Sequence, residues 1–199
     1  MTPHQQLDTW RLELAVTAKN GLNFILAASL LWVAIAWVWT LPYPPARLSW
    51  LTFFVGPLLL PLAWVLSKVL RTTWVLPHNP LQPLGLWLNI AQLLYFPFLI
   101  FIYSRQPTYF LMTYGIITGA HFFPYAWFYN TRAYAVMAAV IALGCLAIGV
   151  RTAATAPAWV AVFMAGALLL LSGWLLLAYR RQKAAYLLAA ARPASLAAR

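Results

Sequence analysis

Six long apolar runs, separated by short polar or proline-rich breaks, set the rhythm of the chain. They cover residues 21–41, 50–70, 84–103, 108–129, 133–150 and 158–179. At 1.5 Å per residue each has the length to cross roughly 30 Å of hydrocarbon, the fifth only narrowly. The pattern predicts an all-α polytopic membrane bundle of six transmembrane helices. Ahead of the first run, Leu7, Trp10, Leu14 and Ala18 recur at helical spacing. They predict a short amphipathic helix over residues 3–20, lying at the membrane interface. Asp8 and Arg11, three apart, are placed to pair on its surface. The first run is too long for the apolar core of a signal peptide and reads as a retained span. After the sixth run the chain turns basic and alanine-rich. Three parts result: an interfacial helix at 1–20, a transmembrane domain at 21–179 and a cytoplasmic tail at 180–199.

The runs are not uniformly greasy. In the fourth, Tyr114, Thr118, His121, Tyr125 and Tyr129 lie four, three, four and four residues apart. That spacing sets them on one helical face. A polar stripe carrying an imidazole is costly against lipid, so it is expected to face protein or water. Asn89 and Gln92 in the third run share a face in the same way and are candidate lining groups or interhelical hydrogen bonds. Helix-interior prolines withhold a backbone hydrogen bond, so Pro57 or Pro61, Pro97 and Pro124 predict kinks in runs two, three and four. Together these kinks are expected to open a cleft between the three. Asn79 before Pro80 reads as a helix start.

A weak internal match suggests duplication. Residues 56–64 (GPLLLPLAW) and 119–127 (GAHFFPYAW) share Gly, Pro, Ala and Trp at an offset of 63 residues. The sixth run keeps the Gly and Trp at 166 and 174. Stacked helical hairpins would account for this, as would chance in a sequence rich in both residues.

Composition sharpens the class. The 199 residues are 64% hydrophobic and 8% charged, with 13 Lys and Arg against two acids, Asp8 and Glu13. The bases sit at run ends, where topology and anionic headgroups explain them better than nucleic acid, so membrane lipid is the expected partner. An even number of spans puts both termini on one side. That side collects Arg11, Lys19, Lys68, Arg71, Arg132, Arg180, Arg181, Lys183, Arg192 and Arg199, against Arg47, Arg105 and Arg151 on the other. The positive-inside rule then places both termini in the cytoplasm. Cys145, the single cysteine, reads as a core residue, and neither a metal site nor a cofactor is expected. Gly115 and Gly119 permit close helix contact within one chain or in a homo-oligomer. The spans hold no acid, which argues against a cation pathway, and no nucleophile or phosphate-loop motif is present.

Three stretches carry a resemblance: K-x-G-L-x-F at residues 19–24, N-P-L at 79–81 and G-A-H-F-x-P-Y-A-W at 119–127. Together they resemble an uncharacterised family of small bacterial six-helix integral membrane proteins. The resemblance runs from the amphipathic start through the fifth run and leaves the tail outside. It implies the fold and a bacterial inner membrane, and no activity.

The residues themselves favour a protein that binds or transports a small neutral or weakly anionic solute. His121 would bind or gate, with Tyr125, Tyr114, Thr118, Tyr129, Asn89 and Gln92 lining. The alternative is a receptor or accessory subunit for lipid or another apolar ligand, built from the many aromatic residues. An enzyme using His121 as base is the weakest reading, because no catalytic residue is visible to orient it.

Overall fold

The computed structural model describes residues 2–197, with side chains through residue 188. Among the described residues there are helices, turns and loops and no strand. Helix α1 (Pro3–Thr17) starts on a capping box: Thr2 and Gln5 satisfy each other's backbone N–H groups. Its apolar stripe turns onto the bundle, with Leu14 buried and Leu7, Trp10 and Ala18 half-buried. Asp8 and Arg11 pair as expected, at 3.3 Å.

A tight turn at Lys19–Gly21 leads into α2 (Leu22–Val38). All three turn residues have left-handed backbones, at φ 48, 56 and 72°. Two of them are not glycine, so the turn holds strain that its surroundings must offset.

The prolines break the next three runs where the sequence placed them. The second run is α3 (Pro45–Val55) and α4 (Leu59–Leu70), joined by a 3-10 turn over Gly56–Leu58 that contains Pro57. The third is α5 (Gln82–Leu93) and α6 (Phe96–Arg105), with Pro97 in the first turn of α6. The fourth is α7 (Phe110–His121) and α8 (Phe123–Phe128), with Pro124 opening α8. Each proline lies within the first turn after its break or in the break itself, where a missing N–H costs little. Two unbroken helices follow, α9 (Arg132–Thr152) and α10 (Ala158–Ala197).

Among the described residues, five helical stretches are long and apolar enough to cross a membrane: Lys19–Val38, Pro45–Leu70, Gln82–Arg105, Arg132–Thr152 and Ala158–Leu188. The fourth expected span departs from this pattern. Its break at Phe122 divides it into helices of 12 and 6 residues. At 1.5 Å per residue neither alone covers the hydrocarbon. The two pieces together still return the chain from one end of the bundle to the other.

Helices α2, α7, α9 and α10 form the packed centre. Gly115 and Gly119 make this possible within the chain. A Cβ on Gly115 would stand 2.6 Å from Cys145 Sγ, and one on Gly119 2.6 Å from Ile141 Cγ2. These glycines let α7 meet α9 closely, as small residues do between membrane helices. Cys145 is buried at this contact, the core role expected of it. Helix α4 leans on α2, and α5 touches the rest chiefly through α7. The outer surface is apolar, with Trp37, Trp87, Leu143 and Leu170 exposed.

The bundle has two unlike ends. Helix α1 shares one end with Lys19, Lys68, Arg71, Arg132, Arg180, Arg181 and Lys183. Arg47, Arg105 and Arg151 lie at the other, where Ser49 Oγ donates to the Pro107 carbonyl at 3.4 Å.

Candidate functional site

The stripe on the fourth run does not line a single hollow; the fold distributes it. Tyr114 packs into the aromatic core, 5.1 Å from the Trp32 ring centroid and 6.4 Å from that of Phe96. Thr118 is buried, and its Oγ1 has no hydrogen-bond partner among the described residues. Tyr125 and Tyr129 stack on each other and on Tyr134 of α9, with centroids 5.7–6.0 Å apart. His121 remains half-buried at the last residue of α7, edge-on to Tyr125 at 5.2 Å. Its imidazole makes no hydrogen bond among the described residues.

Helix α5, which carries the two amides, packs against α7 along a short seam. It runs antiparallel to α7–α8, and a Cβ on Gly85 would stand 3.1 Å from Phe128 Cζ. That contact sets the register. Asn89 and Gln92 follow Gly85 by four and seven residues, on the same helical face. His121 precedes Phe128 by seven. At 1.5 Å per residue Gln92 and His121 therefore both stand about 10 Å in from the contact, at one level. The Asn89 amide bonds back to its own helix at the Gly85 carbonyl, 2.8 Å away. Gln92 makes no side-chain hydrogen bond among the described residues. Asn89 is exposed and Gln92 half-exposed, so the seam is open rather than packed. The His121 imidazole, packed against Tyr125, and the Gln92 amide can each both donate and accept. Tyr114 and Tyr129 are not part of it.

A second polar cluster, at the α1 end, was not singled out from the sequence. Asn20 is fully buried, and its amide donates to Gln182 Oε1 at 2.8 Å. The Tyr134 hydroxyl donates to the Asn20 carbonyl at 2.6 Å. Gln182 in turn donates to the Tyr129 carbonyl at 2.9 Å. A Cβ on Gly21 would lie 3.3 Å from both the Tyr129 and Tyr134 hydroxyl oxygens. The left-handed turn is thus wedged between two tyrosines, and Lys19 reaches the last carbonyl of α4, at Leu70. Asn20 Oδ1 is buried without a hydrogen-bond partner among the described residues.

The remaining motif, N-P-L, works as a tether. Asn79 is buried and does not cap a helix, since α5 begins only at Gln82. Its Oδ1 accepts from the Leu81 N–H at 3.0 Å, closing an Asx turn. Its amide donates to Glu13 Oε2 at 2.7 Å and to the Trp10 carbonyl at 3.0 Å. His78 Nε2 lies 2.8 Å from Glu13 Oε1. On the opposite flank Arg11 donates to the Trp127 carbonyl at 2.7 Å and to Asn130 Oδ1 at 3.2 Å. Helix α1 is therefore clamped to the bundle from both sides, and all three motif stretches contribute to its end. The cue available in the sequence was Asn-Gly after a helix, a pattern suited to left-handed backbone.

Among the described residues, two of the concavities at the surface stand out, and no stripe residue lines either. One, of about 270 Å³, lies between Asn130–Arg132 and α10. The other, of about 430 Å³, lies between Arg151 and Trp159 at the far end. Among the described residues no group of His, Cys, Asp or Glu is placed to hold a metal ion.

No curated protein and no solved structure matches the chain. One family does, described as a family of unknown function (DUF7010), over residues 7–178. The matched range runs from α1 into α10 and takes in the sixth apolar run as well as the first five. It includes the Lys19–Gly21 turn, the Asn79 tether and the His121 break, and on the strength of that coverage the chain belongs to the DUF7010 family.

Proposed function

We propose that this is an integral membrane protein that takes a small neutral or weakly anionic solute into the seam between α5 and the broken α7–α8 segment, to bind it or pass it across. The observation that carries the reading is the position of His121. It stands at a helix break, half-buried, level with Gln92, and neither side chain makes a hydrogen bond among the described residues. Irregular backbone at membrane depth is tolerated where it is buried in protein or borders a cavity. Unpaired polar groups beside such a break are the usual makings of a membrane binding site. His121 and Gln92 would hold the solute, Tyr125 would form one wall, and Asn89 would stand at the approach.

The setting of this reading is a bacterial inner membrane crossed six times, the fourth crossing being α7–α8, with both termini in the cytoplasm. The excess of basic residues at the α1 end supports that orientation. The related breaks in the second and fourth runs are consistent with a duplicated hairpin. Superposition of α2–α4 on α5–α8 would test it, and matching single helices with unlike packing would end it.

The test of the seam is flux or binding in proteoliposomes, across a panel of small neutral and weakly anionic solutes, for wild type, His121→Ala and Gln92→Ala. A solute that wild type moves and both variants lose is the expected result. Equal flux through His121→Ala removes His121 from the mechanism.

One observation favours a second reading, binding of an apolar ligand. Helix α5 has no buried residue, so the seam opens sideways toward lipid between aromatic walls. A lipid or apolar molecule that co-purifies with wild type and is lost when Gly85→Leu fills the seam would favour that reading.

A further inference from the structure

We propose that the concavity between the start of α9 and the outer face of α10 is a binding site for a phosphate monoester or diester group, of the kind an anionic lipid presents at the membrane surface. It stands apart from the His121 seam and does not rest on the reading of that seam. Its lining is ordered by chemistry along α10. Trp174, Leu177 and Ala178 form an apolar floor, and Arg181 follows at i+7 from Trp174 on the same helical face. The floor-to-head distance is about 10 Å at 1.5 Å per residue. Trp174 and Leu177 are exposed, so the floor faces the acyl region. The head lies beside Arg132, where α9 begins. An acyl chain along the floor and a phosphate at the head match this order.

The head is built for an anion and has none of its own. Arg132 and Arg181 are both exposed and neither is in a salt bridge among the described residues. The protein has no side-chain carboxylate to spare: Asp8 pairs with Arg11, and Glu13 is held by His78 and Asn79. The first turn of α9 adds N–H groups with no partner inside the helix. Thr131, at the N-cap of this 21-residue helix, does not bond to them. It is only 9% exposed, lines the concavity, and its hydroxyl makes no hydrogen bond among the described residues. A largely buried threonine with an unpartnered hydroxyl among the described residues, two guanidinium groups outside any salt bridge and a helix N-terminus thus line one concavity. Guanidinium forks match phosphate oxygens geometrically.

The experiment uses the full chain in detergent, with native mass spectrometry against phosphatidylglycerol and phosphatidylcholine of identical acyl chains. A parallel arm adds inorganic phosphate and reads thermal stability and displacement of lipid. The expected result is retention of phosphatidylglycerol over phosphatidylcholine by wild type. The double variant R132Q/R181Q lowers phosphatidylglycerol occupancy about tenfold or more, given the usual attraction per basic residue at an anionic surface. The control R180Q/K183Q, which removes two charges at the same end but outside the concavity, leaves occupancy within about threefold of wild type. Ala178→Trp, which fills the groove and keeps every charge, reproduces the loss. Phosphate that displaces the lipid and stabilises wild type, but not R132Q/R181Q, at millimolar concentration assigns the same head to a soluble phosphate source. Phosphatidylglycerol binding unchanged in R132Q/R181Q and in Ala178→Trp, or lowered equally by R180Q/K183Q, overturns the proposal.

Discussion

The sharpest distinctions in this protein are between residues of one type. Gly119 and Gly173 are both helical glycines in apolar runs. A Cβ on Gly119 would meet Ile141 Cγ2 at 2.6 Å and the Ala142 backbone nitrogen at 3.0 Å, while one on Gly173 would meet nothing within 4 Å. Gly119→Ala is therefore expected to push α7 off α9 and to cost about 1–3 kcal/mol. Gly173→Ala should gain about 0.5–1 kcal/mol from helix propensity alone. Thermal unfolding in detergent reads both, and a similar sign for the two would contradict the close α7–α9 contact. Tyr134 gives a second test. Tyr134→Phe leaves the ring in place and strips the Asn20 carbonyl of its donor, at an expected loss of about 1–3 kcal/mol. Unchanged melting would mean that water replaces the hydroxyl freely. Neither contrast is visible in the order of residues. Glycines in greasy runs look alike, and Asn20 finds its partners 114 and 162 positions away along the chain.

At the scale of elements, local sequence was most informative where covalent chemistry decides. Pro57, Pro97 and Pro124 lack an N–H, and each run breaks beside its proline. The amphipathic start of the chain was likewise legible, because Leu7, Trp10, Leu14 and Ala18 keep a helical period. What it docks against was not, since the period says only that one side avoids water. Glu13 supplies the answer by accepting from Asn79 and meeting His78. Glu13→Ala should loosen α1 from the loop before α5, because the buried Asn79 amide then keeps only the Trp10 carbonyl. The expected cost is about 1–3 kcal/mol, with faster proteolytic cleavage between α4 and α5. A cleavage rate equal to wild type would show that Arg11 on the other flank is sufficient.

For the whole molecule the question is how many times the chain crosses. Six crossings put the two termini on one side, and five put them on opposite sides. Reporter fusions at each end of the chain are expected to place both in the cytoplasm, with the loops near Arg47, Arg105 and Arg151 outside. A terminus reported outside would overturn the six-crossing topology. The same charge asymmetry leaves Arg132 and Arg181 without an acidic side chain in the protein to answer them, and it directs attention to the membrane surface as the source of the counter-anion.

Periodicity, apolar length and proline positions by themselves determined the all-helical class, the expected runs and the kinks, because these depend on hydrogen bonds and side-chain spacing within a few turns. Only the tertiary structure decided which polar residues meet. It sent Tyr114 and Tyr129 into packed aromatic clusters, left the His121 and Gln92 side chains without hydrogen bonds among the described residues, and made Asn20 the tie between α2, α9 and α10. These outcomes depend on contacts between segments far apart in the chain, where the register of one helix on another, as at Gly85 and Phe128, fixes what a side chain faces.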